Sequence, residues 1–260
     1  MYNKLKQKKK MEKKPMYVAF STQKGGAGKT TLTVLVASYL HYVKGYNVAV
    51  VDCDYPQYSV VDMRKRDREL VMDDEYYSYL FYEQATRLDK KIYPVEQGMP
   101  ENAIEVALGL SKNEDFDFIF FDLPGTINNE GVVKTLSQMD YIFSPISADY
   151  MVLRSTLRFA DVLNEKLITT GIANIKGLYL LWNLVDGREK SELYEVYEKV
   201  IEDLHLTALK TFLPDSKRFR KELSVSHKAV FRSTLFPVDK ALIKGSNLDL
   251  LVAEILELLK

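Results

Sequence analysis

Residues 21–31 read STQKGGAGKTT, and two of them, Lys24 and Lys29, are lysines five positions apart in one glycine loop. Glycines leave backbone N–H groups open, and a helix that starts there adds the positive end of its dipole, so such a loop is a receptor for a polyanion. Two ammonium groups this close repel unless an anion separates them or one of them serves another chain. The general phosphate-loop pattern G-x-x-x-x-G-K-[ST] fails at its first position, where Gln23 stands, but GAGKT at 26–30 is intact. In that pattern Lys29 reaches the β- and γ-phosphates and the Thr30 hydroxyl binds Mg²⁺. The plain alternative is a chance glycine turn before a helix.

Phosphoryl transfer also needs carboxylates for the metal and the water, commonly at the carboxyl ends of neighbouring parallel strands. NVAVVDCD delivers Asp52 and Asp54, and FDFIFFDLPG delivers Asp122 followed by Gly125. One aspartate after a strand is often a turn former. Three after apolar strands, downstream of a phosphate loop, point to one shared site. Cys53 is the only cysteine, and His41, His205 and His227 are scattered, so any metal is expected on oxygen ligands.

The elements that must position these residues alternate. Strand-like runs stand at 17–21, 47–52, 92–95, 116–122, 141–147, 175–183 and 209–214, separated by segments of helical length. This pattern predicts one α/β domain with a mostly parallel twisted sheet and helices on both faces. The first helix is the clearest: Leu32, Leu35, Val36, Tyr39, Leu40 and Val43 share one face from an N-terminus at Lys29, and Gly45 stands at the C-cap. The tyrosine-rich YYSYLFY at 76–82 reads as a packed aromatic helix, and residues 62–90 are otherwise hard to interpret.

The chain has 260 residues, 47% of them hydrophobic, enough for a sizeable core. Basic and acidic residues balance at 36 each, but residues 1–14 hold seven lysines against Glu12 and read as a disordered basic tail before a domain at 15–260. No run approaches the roughly 18 apolar residues that span a bilayer, and MYVAF is too short for a secretory core. A cytoplasmic location is expected.

These residues resemble a known family. KGGAGKTT resembles the deviant Walker A motif of the ParA/MinD ATPases, VDCDYPQ their VDxDPQ element, and FDFIFFDLPG their Walker B and switch II segment. MDYIFSPISADYMVLRS is similar to the strand and helix that follow, LYLLWN to a strand ending in an asparagine near the adenine, and FLPDSKRFRK to a late proline and basic helix. The resemblance spans about 16–260, with Tyr55 inserted before Pro56 and 62–110 matched in little beyond length. It implies that Gly25, Gly26, Ala27, Gly28, Lys29, Thr30 and Thr31 bind ATP with Mg²⁺, and that Gly125 meets the γ-phosphate and Asn183 the adenine. It also implies that Asp54 positions the attacking water, that Asp122 holds a metal-bound water, and that Asp52 supports the metal site. Lys24 would cross to the partner's ATP in a homodimer bridged by nucleotide.

The family implies two classes: a partition ATPase of the ParA type, closest to those of plasmids and conjugative elements, with DNA and a ParB-like adaptor, or a MinD-like ATPase of the membrane surface. The closing NLDLLVAEILELLK carries Asp249, Glu254 and Glu257 against Lys260, which disfavours anionic lipid. By apolar spacing it packs on the sheet. Residues 216–232 hold six basic side chains and one acidic, and Lys217, Arg218, Arg220 and Lys221 are the candidate contacts to the DNA backbone. A solvated helix face is the ordinary reading of such a run. A single cysteine excludes a cluster-carrying reductase. An ATP-dependent small-molecule synthetase on the same fold is the further alternative.

Overall fold

The computed structural model describes residues 14–126, 128–169, 171, 173, 175–188 and 191–260. Apart from Lys14, the lysine-rich tail lies outside them. Seven strands form one sheet: β1 (Met16–Phe20), β2 (Val48–Asp52), β3 (Val95–Gln97), β4 (Phe118–Asp122), β5 (Tyr141–Ile146), β6 (Gly177–Trp182) and β7 (Thr207–Ala208). Their order is β3-β2-β4-β1-β5-β6-β7, and every pairing is parallel. β2, β4 and β5 are buried along their whole length, as continuous apolar runs require.

The helices are α1 (Lys29–Ser38), α2 (Ser59–Asp73), α3 (Glu75–Leu88), α4 (Ala103–Ser111), α5 (Glu130–Leu136), α6 (Tyr150–Leu163), α7 (Ser191–Asp203), α8 (Lys240–Ile243) and α9 (Leu248–Leu258). Strand alternation divides them. Val18, Phe20, Val50, Phe120 and Phe143 point to the face covered by α1 and α9, whereas Tyr17, Ala19, Val51, Phe121 and Ile142 meet α4, α5 and α6. The apolar side of α9, Leu248, Leu251, Val252 and Ile255, is thus used in the core. Among the described residues no helix is long and apolar enough to cross a membrane.

α1 begins at Lys29 and runs through a π-helical turn, Tyr39–Val43, to Gly45, whose φ of +81° suits a left-handed C-terminal position. It is less one-sided than its spacing predicts: Thr33, Val34, Ala37 and Ser38 are buried too, while Val43 is exposed.

Three local expectations need correction. The strand expected at 92–95 starts only at Val95, because Pro94 has no N–H to give and Arg64 takes the Tyr93 carbonyl at 2.8 Å. The strand expected at 209–214 is β7, two residues at 207–208. There the Lys210 and Thr211 amides turn to the Glu254 carboxylate of α9 at 2.7 and 2.8 Å, so only Leu209 and Leu213 keep bonds to β6. In α3 the tyrosines are not all packed: Tyr77 is buried, whereas Tyr76, Tyr79 and Tyr82 are exposed.

Candidate functional site

β1 sits mid-sheet between β4 and β5, so the loop after it opens beside the ends of both neighbours. The loop is anchored from the β5 side: the Ser144 hydroxyl donates to the Ser21 carbonyl at 2.8 Å, and the Thr22 and Thr156 hydroxyls bond at 2.7 Å. Gly26 and Gly28 have φ of +79° and +92°, which only glycine adopts without strain. A Cβ on Gly28 would also stand 2.7 Å from Asn183 Nδ2, whose N–H donates to the Ala27 carbonyl at 2.9 Å. Asn183, at the end of β6, therefore closes directly on the loop.

The two lysines part company. Lys29 is only 9% exposed, whereas Lys24, like Gly25, is exposed. A Cβ on Gly125 would lie 3.0 Å from Lys29 Nζ and 3.2 Å from the Thr22 carbonyl oxygen, so glycine lets the loop after β4 come down over the lysine.

Asp52 and Asp122 are register partners at the ends of β2 and β4. Asp122 is fully buried: Oδ2 accepts the Thr30 hydroxyl at 2.7 Å, while Oδ1 has no hydrogen-bond partner among the described residues. Burial, with the Asp52 and Asp54 carboxylates beside it, pushes its pKa up to about 7 against the pull of Thr30 and Lys29. Burial also raises Asp54, and the Lys29 ammonium opposes it. Asp52 is raised by burial as well, but both its oxygens accept backbone N–H groups: Oδ1 that of Asp54 at 3.2 Å, Oδ2 those of Val60 and Val61 at 2.8 and 3.0 Å. It therefore clamps the loop into α2, whose first turn it caps from a distance. Burial and the nearby carboxylates push the Cys53 thiol up to about 12, which leaves it inert.

Among the described residues no group of three His, Cys, Asp or Glu side chains could hold a metal by itself. An orphaned buried carboxylate oxygen beside a threonine hydroxyl is nonetheless the donor set that suits Mg²⁺. That ion binds few protein oxygens and keeps waters and phosphates for the rest of its shell.

The basic segment is not a helix. Lys217–Arg220 form one 3-10 turn capped by Ser216, and their neighbours run on as loop. Two of its six cations serve the fold. Arg218 donates to the Leu242 and Lys244 carbonyls at 2.9 and 2.6 Å, and Arg232 is bound to Glu222 and to the Thr31 hydroxyl. Lys217, Arg220, Lys221 and Lys228 are exposed. The contact of Arg232 with the phosphate loop had no local signal, because it joins residues 201 positions apart.

The sequence pattern of the CobQ/CobB/MinD/ParA nucleotide-binding domain matches residues 18–227. The chain is 22% identical over 254 residues to the uncharacterized protein BBD21 of Borreliella burgdorferi, covering 89% of this chain and 96% of that one. Its fold is similar to that of a protein from Borrelia burgdorferi B31 named for plasmid partition and solved with AMPPNP (TM-score 0.56, 15% identity, 95% and 98% coverage). It is also similar to a ParA family ATPase from Chlorobium tepidum (TM-score 0.60, 16% identity, 90% and 96% coverage).

Proposed function

The chain belongs to the CobQ/CobB/MinD/ParA family of nucleotide-binding domains, and on that premise we propose that it is a slow, Mg²⁺-dependent ATPase of the ParA type. In this reading it dimerises around ATP, holds DNA without reading sequence while ATP is bound, and acts in partition, maintenance or transfer of mobile DNA with a DNA-binding adaptor. The observation that carries it is the Thr30–Asp122 bond with its orphaned carboxylate oxygen, beside a lysine buried under Gly125.

Lys29 and the amides of 25–31 hold the phosphates, and Gly125 gives its N–H to the terminal one. Thr30 and Asp122 would hold Mg²⁺, whose charge would offset that of the phosphates. Asp52 acts behind them by fixing the loop that carries Asp54. Asp54, half-buried and with its pKa raised by that burial, orients the attacking water and accepts its proton. Asn183 takes the adenine side. An Asp54→Ala protein is expected to keep ATP in an equilibrium binding assay while phosphate release falls by about 10²- to 10⁴-fold; full turnover would remove Asp54 from the mechanism.

DNA is favoured over lipid because the apolar side of α9 is occupied in the core. The exposed cations Arg220 and Lys221 supply the test, and Arg218 does not, since losing its bonds to the α8 loop would disturb the fold. With both changed to Glu, ATP-dependent DNA affinity should drop at least about tenfold at low salt and the log–log salt slope should shrink by about 2. A protein lacking residues 1–14 is the control for the lysine tail. Unchanged binding in the double variant would make the cluster an ordinary solvated surface.

A further inference from the structure

Arg232 closes the basic segment 216–232 but lies outside the nucleotide motifs, yet its guanidinium is hydrogen-bonded to the hydroxyl of Thr31 in the first turn of α1. Its backbone is held firmly. The N–H groups of Phe231 and Arg232 both donate to the Lys221 carbonyl at 2.9 Å, and the next two residues are gripped from α2. There Asp67 Oδ2, fully buried, accepts the Ser233 hydroxyl at 3.0 Å and the Thr234 N–H at 2.8 Å, while Arg64 donates to the Thr234 carbonyl at 3.1 Å. Two buried charged side chains of α2, Arg64 and Asp67, thus fix this short stretch. What it presents to the loop is one arginine.

The head of that arginine is balanced by one carboxylate shared with another arginine. Glu222 Oε1 accepts Arg232 Nε at 2.9 Å, and Oε2 pairs with Arg66 of α2 at 2.5 Å. Arg66 is paired with Asp67 Oδ1 at 3.3 Å as well, so it has a second counter-charge, whereas Arg232 has Glu222; Arg232 and Glu222 are each about a fifth exposed. The exposed side opens on a cavity of about 520 Å³ that Arg232 and Arg66 line together with Thr30, Ser59 and Asp62. Thr30 is the residue whose hydroxyl meets Asp122, so the guanidinium and the candidate nucleotide site share one space.

Resting on the nucleotide reading, the geometry points to Arg232 as a nucleotide-binding cation supplied in cis, which together with Thr31 contacts the part of the phosphate chain common to ATP and ADP. The terminal-phosphate end is already marked by Lys29, Gly125 and Asp54. Thr31 is one residue beyond Thr30, about 100° further round the helix and away from Asp122. Glu222 is its positioning residue: it holds the guanidinium ready and competes with the phosphate for it. A bidentate-capable arginine in this place adds charge-assisted hydrogen bonds that a lysine could not reproduce in the same geometry.

The test is calorimetric titration of ADP and of AMPPNP, each with Mg²⁺, into the full chain and its variants, with thermal unfolding to verify each fold. Arg232→Ala is expected to weaken both ligands equally, by about tenfold or more, the range of a hydrogen bond to a charged group. Glu222→Gln, which frees the guanidinium, is expected to bind ADP at least as tightly as the wild type. The opposite signs separate a ligand contact from a structural ion pair. Wild-type ADP affinity in Arg232→Ala, a loss confined to AMPPNP, or an equal loss in Glu222→Gln would each overturn the assignment. If Arg232→Ala does not fold, Arg232→Met keeps the stem packing, and a loss in Glu222→Gln is decisive alone. Lys29→Ala sets the baseline for lost binding. A wild type that takes up neither nucleotide would overturn the nucleotide reading, and the role of Arg232 with it.

Discussion

A Lys24→Ala protein is expected to take up ATP as a monomer and stay one: light scattering with ATP should show no dimer, hydrolysis should drop on the order of 10³-fold, and DNA binding should be lost with it. The expectation follows from the different surroundings of the two lysines. Lys29 is buried beneath Gly125 and committed to its own loop, whereas Lys24 is exposed five residues earlier. One terminal phosphate that already has Lys29, loop amides and a metal gains little from a second ammonium of the same chain. The same ammonium placed against a partner's nucleotide supplies charge where none is present, in the range known for cations given in trans. On this reading nucleotide bridges the subunits, because facing lysines and helix N-termini would repel without it. A dimer of normal size from this variant would mean that Lys24 serves only its own loop.

The second large effect runs against intuition: replacing Asp122 by Asn should stabilise the nucleotide-free protein at pH 8 while removing its response to MgATP. The folded-state pKa is raised, from 3.8 to about 7, so the folded chain keeps a proton that the unfolded chain has lost between those values. Stability contributed by this group is therefore present below about pH 4, falls as pH rises to about 7, and is flat above. The full loss amounts to at most about 4 kcal/mol. Asn cannot ionise, and its amide oxygen still accepts the Thr30 hydroxyl. Urea unfolding of both proteins at pH 4 and pH 8 checks it: near-equal stability at the lower pH and a more stable variant at the higher one are expected. A variant less stable than the wild type at pH 8 would show that the carboxylate is ionised and well compensated in the empty site.

The parts of the site that sequence alone made legible are those whose signal is local. A glycine loop, a lysine and a threonine lie within eight residues, and the aspartates announce themselves at the ends of apolar strands. The α/β alternation was legible for the same reason, because strands buried on both faces are written as continuous apolar runs. What stayed hidden depends on distant partners. β7 is short because Glu254, some 44 positions on, takes the Lys210 and Thr211 amides. α2 gave no apolar period because Arg64 and Asp67, charges by type, are buried in a hydrogen-bonded contact with 233–234. The basic run at 216–232 looked uniform, yet Arg218 and Arg232 are engaged by carbonyls and a carboxylate while Lys217, Arg220 and Lys221 are not buried. Charge counts carry no information on which cations are already engaged.

The central place of β1 in the sheet also sets a clock. The phosphate loop is made early, but its threonine meets Asp122 across 92 positions, its carbonyl meets Asn183 across 156, and its first helical turn meets Arg232 across 201. At roughly 5–20 residues per second, synthesis separates the loop from the last of these partners by about 10 to 40 seconds. Until β2 and β4 follow, the nascent chain carries an α1 whose buried residues have only β1 of the sheet to pack on. On the role proposed for Arg232, full affinity for nucleotide has to wait until residue 232 is made, long after the phosphate loop itself.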